Sequence, residues 1–213
     1  MNPLRDLALL NAIPTDTAIA VIARSPEPSV LGPFVEWWAA PHQSWLPWWF
    51  ARRDTAALQR IIEQTDRAAR RTRGRLEEMR ARYLRTAAAA YLALVRGDSA
   101  AALRDFDALP DTTCIWTDCS LEKLTLARLF AARGEDRRAS DVIDQWLWIS
   151  PSPFFVIARL ERARIAERLG DRDTAVRWYQ FVADTWRHAD PELQSYVAEA
   201  REGLRRLGAE PRR

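Results

Sequence analysis

The chain has 213 residues, 48% hydrophobic and 29% charged, and its 32 Lys and Arg against 29 Asp and Glu leave a net charge of +3. That balance belongs to a folded chain with a core and excludes a disordered or single-sign tail. No apolar run reaches the roughly 18 to 20 residues that cross a bilayer, and two cysteines are too few for a disulfide framework.

Residues 1–44 read as a proline-broken cap. Pro14, Pro26, Pro28, Pro33 and Pro41 cut it into short pieces, because proline cannot donate within a helix and disfavours helix in the residue before it. Helices are predicted at 3–12, 16–24 and 33–40. The apolar stretch near the start is interrupted by Asn11, Pro14 and Asp16, too soon for a secretory signal, and a cytoplasmic location is expected. Trp37, Trp38, Trp45, Trp48 and Trp49, with Phe34 and Phe50, crowd into one stretch. They are expected to cover the end of the helical array, with an aromatic partner surface as the alternative.

Helices are predicted at 45–53 and 55–71, the second from the three-to-four spacing of Leu58, Ile61, Ile62 and Ala69, with Asp54 or Thr55 as its cap. Predicted helices 75–95 and 99–109 follow, and Pro110 ends the latter. After a loop at 111–119 come 120–133 and 136–148, then 153–169 and 172–188. Asp190-Pro191-Glu192 opens a last helix to about Leu207, with aspartate as its cap, proline at its first position and Gly208 as its C-cap. No stretch alternates as a half-buried strand does.

These helices come in repeats. Gly97-Asp98, Gly134-Glu135 and Gly170-Asp171 lie 37 and 36 residues apart. Alanine stands seven residues before each glycine (Ala90, Ala127, Ala163) and five after (Ala102, Ala139, Ala175). Four residues further comes a large apolar side chain: Phe106, Ile143 and Tyr179. Small residues mark close helix crossings, glycine supplies the left-handed turn, and the acid after it caps the next helix. Asp54-Thr55-Ala56-Ala57-Leu58 reads as a degenerate first copy. A period in the thirties indicates stacked helix pairs.

The alanine, glycine and alanine positions resemble the small and turn positions of tetratricopeptide repeats over about 80–190, with a weaker unit at 45–71. The resemblance implies an all-α fold: a right-handed α-solenoid of about four helix pairs at 45–190, with the cap before it and a capping helix and tail at 191–213. The stretch from Leu160 to Asp171, continuing through Trp178-Tyr179 to Gln194, is similar to the C-terminal repeat region of some bacterial serine/threonine kinases and related signalling proteins. None of the kinase motifs is present. The resemblance therefore implies a non-catalytic protein-interaction module in signalling or regulation.

It also implies a groove lined by the first helix of each pair, where Tyr91, Arg128, Arg164 and Arg168 are the expected peptide-binding residues. Arginine forks bind carboxylates in bidentate fashion, so an acidic or C-terminal peptide is the expected ligand. The asparagines of the family's carboxylate-clamp members are missing. The alternative is that these arginines pair internally with acids such as Glu161 and Glu167. A second functional reading is a nucleic-acid-associated regulator using the basic run from Arg67 to Arg85, where eight arginines face Asp66, Glu77 and Glu78. The other expectation for that run is an ordinary solvated face.

His42 and His188 sit beside helix ends. Cys114 and Cys119 would supply two zinc ligands of four, with no second pair to complete the set. Thiols are expected there, with a local disulfide as the alternative. No catalytic motif, cofactor or metal is expected.

Overall fold

The structure, a computed structural model, describes residues 45–71, 74–110, 119–145 and 153–209. The expected cap at 1–44 with Trp37 and Trp38, His42, Arg73, Cys114, Trp146 and the tail 210–213 lie outside the described residues. Among the described residues every regular element is helical. They divide into two compact units, one within 45–122 and the other within 123–209.

The first unit holds α1 (Leu46–Ala51), α2 (Thr55–Ala69), α3 (Arg75–Val95) and α4 (Ser99–Asp107). Helix α2 packs along α3, α3 along α4, and α1 touches both α2 and α3. Helix α5 (Ser120–Ala132) begins in this unit and runs on into the second, which continues with α6 (Asp136–Asp144), α7 (Pro153–Arg168), α8 (Arg172–Thr185) and α9 (Gln194–Arg206). There α7 packs against α6 and α8, and α9 against α8 and α7. No helix of the described residues is long and apolar enough to cross a membrane.

One turn recurs in both units. Gly97, Gly134, Gly170 and Gly208 have φ of 83°, 75°, 74° and 63°. Each glycine N–H donates three residues back, as Gly97 does to Leu94, and the next N–H donates five residues back, as Asp98 does to Ala93 at 2.9 Å. This double closure satisfies carbonyls that a helix end leaves unpaired. Arg53 takes the same place in the degenerate first copy with φ 55°, and Asp54 donates to Trp49 at 2.9 Å. Its side chain compensates by bonding the Val95 carbonyl at 3.1 Å.

Asp54, Asp98 and Asp171 each accept from the N–H three residues on and so cap α2, α4 and α8. Glu135 does not cap α6; its longer side chain bonds Arg133 and Arg138 instead. A Cβ on Gly97, Gly134 or Gly170 would meet nothing within 4 Å. Alanine there should therefore cost only the backbone term, about 1–2 kcal/mol. Urea denaturation of the three variants checks this; unchanged midpoints would remove the glycines from the turn's energetics.

The repeated alanines Ala90, Ala102, Ala127, Ala139, Ala163 and Ala175 are all fully buried, as are Phe106 and Tyr179, with Ile143 nearly so. Trp48 is buried, while Trp45 and Trp49 are half-buried and stack on each other. The predicted start of the last helix is corrected. Asp190 makes no cap bond, and Pro191–Leu193 form a 3₁₀ turn before α9 begins at Gln194. Proline's fixed φ suits that tighter turn, which Leu193 closes by donating to the Asp190 carbonyl.

Candidate interaction surfaces

The four residues expected to line a peptide groove do not share one environment. Tyr91, on α3, is corrected from a groove residue to a core residue. It is 1% exposed, sits between the rings of Phe50 and Phe106, and its hydroxyl lies 3.3 Å from a Glu122 carboxylate oxygen. Three aromatic rings in contact bury more area than an exposed tyrosine would leave to a ligand.

Arg128, Arg164 and Arg168 lie in the second unit, and all three are engaged. Arg128 of α5 bonds Glu161 of α7 at 3.0 Å. Arg164 bonds the same Glu161 at 2.6 Å and forks onto Glu199 of α9. Arg168 forks onto Asp136 at the start of α6. Beside them Arg206 forks onto Glu167, which also accepts from the Tyr179 hydroxyl at 2.7 Å. The result ties α5, α6, α7 and α9 together through alternating charges.

The charge states follow from this geometry. Burial works against the Arg164 cation, but its bonds to Glu199 and Glu161 outweigh that and raise its pKa. The bond to Asp136 raises that of Arg168. The Arg206 guanidinium, then the Tyr179 hydroxyl, hold the Glu167 carboxyl below its ordinary value of 4.5. Glu161 and Glu167 are the partners expected from the sequence, whereas Glu199, Asp136 and Arg206 are not. A signal was there: Arg128 to Glu161, Asp136 to Arg168 and Arg164 to Glu199 are separated by 33, 32 and 35 residues, close to one repeat.

A pH dependence follows. A carboxylate with a depressed folded pKa stabilises the protein above its unfolded value, and that stability is lost as pH falls through the folded value. Stability should therefore hold down to about pH 4.5 and decline below it as Glu167 protonates. Glu135, held down by Arg133 and Arg138, and Asp171, held down by its bonds to Thr174, push the same way. Glu167→Gln should make the acid limb shallower without removing it. An identical limb in that variant, followed by circular dichroism, would take Glu167 out of the linkage.

The basic run behaves differently. Arg85 pairs with Asp66 at 2.7 Å, and Arg80 is also partnered. Arg67, Arg70, Arg71, Arg75 and Arg82 are exposed and make no ion pair among the described residues. Arg67 lies in the last turn of α2, where a cation suits the negative helix end. The carboxylates of Glu77 and Glu78 sit in the first turn of α3, the favourable end for them. Among the described residues, the helical glutamate–arginine pairing expected for a solvated face is missing at these five positions.

Cys119 is fully buried and disulfide-bonded, and Cys114 is the only other cysteine in the chain. This replaces the expectation of thiols, because a disulfide sulfur is neither nucleophile nor zinc ligand. His188 is exposed just past the end of α8. No protein-family model, no curated protein and no solved structure matches this chain.

Proposed function

We propose that this chain is a non-catalytic binding module, built from tetratricopeptide-like helix pairs and working in bacterial signalling or regulation, whose partner is an acidic protein segment. The observation that supports this reading is the unequal state of its arginines. Arg128, Arg162, Arg164, Arg168 and Arg206, on α5, α7 and α9, are held by carboxylates of neighbouring helices. Those around the α2–α3 turn keep their donors in water and available, so the turn replaces the groove arginines as the docking point. A carboxylate-rich segment gains charge-assisted forks there without first breaking an internal pair. Disulfides persist in oxidising compartments, so the bonded Cys119 weighs against the cytoplasmic placement.

The same five arginines favour a nucleic-acid-binding regulator as the second reading. The two separate in one experiment. Fluorescence anisotropy is measured with a labelled aspartate- and glutamate-rich peptide and with a labelled DNA duplex, at rising salt, for the wild type and for Arg70→Glu with Arg71→Glu. Peptide binding lost in that variant but kept in Arg137→Glu, a change at an exposed arginine of α6 away from the turn, supports the first reading. Duplex binding whose logarithm falls with log salt at a slope of about −4 to −5, the value for five neutralised phosphates, moves the assignment to nucleic acid. Failure of both probes to bind sinks both readings.

A further inference from the structure

Helices α7 and α8 enclose an aromatic seam in which three buried N–H donors make no hydrogen bond. The Arg159 guanidinium lies 4.7 Å from the centre of the Phe155 ring and 4.4 Å from that of Trp178. Arg177 lies 4.8 Å from the same Trp178 ring. Phe181 meets Phe155 and Trp178 edge-on, at 5.7 and 5.8 Å. Arg162, 8% exposed, gives its Nε and Nη2 edge to Asp144 at 2.9–3.0 Å. That fork leaves Nη1 on the opposite side of a planar group. Arg162 Nη1, Arg159 Nε and Trp178 Nε1 are all buried, and none makes a hydrogen bond.

Charge in the seam is also unbalanced. Burial lowers the Arg159 pKa, Asp144 opposes this, and Arg162 and Arg177 add to it. Asp171 acts on Arg162 and Arg177 from the turn before α8, but its carboxylate is committed to Thr174. Among the described residues, the seam thus holds two guanidiniums, Arg159 and Arg162, against one carboxylate, Asp144, which Arg162 already engages, while Arg177 and Asp171 are exposed at its edge. The connection from α6 to α7, residues 146–152, contains no charged residue. A buried donor without an acceptor is costly, and three in one seam call for a shared one. Arg159, Trp178, Phe155 and Phe181 are only half-buried, so the seam reaches the surface.

We propose that this seam binds the carboxylate of a small organic acid or of a chain terminus, to which Arg159 Nε–H, Arg162 Nη1–H and Trp178 Nε1–H donate. One carboxylate supplies the lone pairs that the three donors need and neutralises the single excess positive charge. The aromatic walls keep water away from these bonds and so strengthen them. The site uses no residue of the α2–α3 turn, so either assignment stands if the other fails.

The test is a ¹⁵N-NMR titration of the full chain with acetate, and separately with inorganic phosphate and chloride, at constant ionic strength. The Trp178 indole and Arg159 Nε–H signals are assigned with Trp178→Phe and Arg159→Lys. Acetate should move both signals saturably. Trp178→Phe, which keeps a ring and removes only the N–H, should weaken the response at Arg159 by about tenfold, the loss of one hydrogen bond to a charged group. Should that variant unfold, Arg159→Lys is read at the Trp178 indole instead and should weaken acetate similarly. Unsaturable shifts, equal shifts with chloride, or tighter binding of phosphate would each overturn the assignment.

Discussion

Tyr179→Ala should destabilise the protein by about 3–5 kcal/mol, the usual cost of deleting a buried aromatic ring. Tyr179 closes its repeat: it is 0% exposed on α8, and its ring lies against the backbone of α9 at Gly203. A Cβ on Gly203 would fall 2.5 Å from that ring, so only glycine lets the two helices come this close. The hydroxyl then reaches Glu167 on α7 at 2.7 Å. One side chain thus joins three helices, and Tyr179→Phe, which removes only the hydroxyl, should cost about 1–2 kcal/mol.

A sign reversal separates ring packing from general damage. In the wild type, Gly203→Ala should cost about 1–3 kcal/mol by overpacking. In the Tyr179→Ala background the ring is gone, and the same change should stabilise α9 by up to about 1 kcal/mol through its better helix propensity. A urea-denaturation double-mutant cycle reads the coupling. Additive effects, with Gly203→Ala costly in both backgrounds, would show that the glycine is there for some reason other than the tyrosine.

The sequence carried the turns because each has a local cause. A glycine followed by an acid states both the left-handed residue and the next cap, and three such pairs at one period located α4, α6 and α8. Arg53 broke the composition rule but kept the conformation, so the first copy was recognised from Asp54-Thr55-Ala56-Ala57-Leu58 downstream of it and not from a glycine. Gly203 escaped notice because its cause lies on another helix, 24 residues away at Tyr179. Tyr91 failed for a similar reason. Its place in the repeat gave a helix face, but what covers that face is Phe50 and Phe106, which periodicity does not reveal. Arginine identity showed where charge could be placed, while its use depended on whether a carboxylate stood one repeat away, as for Arg164, or did not, as for Arg70. The seam around Arg159 was invisible because its three donors are defined by partners they lack.

Ala163→Leu should cost about 1–3 kcal/mol, and possession of this cost by crossing positions alone is what the repeat assignment requires. Ala163 is 0% exposed on α7, seven residues before the turn glycine, and Ala127 holds the same place on α5. Three added carbon atoms at a closed crossing must push apart helices whose side chains already meet. Ala198, exposed in the interior of α9, is the comparison. Leucine is nearly as good a helix former as alanine, so Ala198→Leu should change stability by less than about 0.5 kcal/mol. The measurement is the urea midpoint of Ala127→Leu, Ala163→Leu and Ala198→Leu side by side. If all three unfold together with the wild type, the small residues are there by composition, in a chain rich in alanine, and the spacing that indicated stacked helix pairs loses its physical cause.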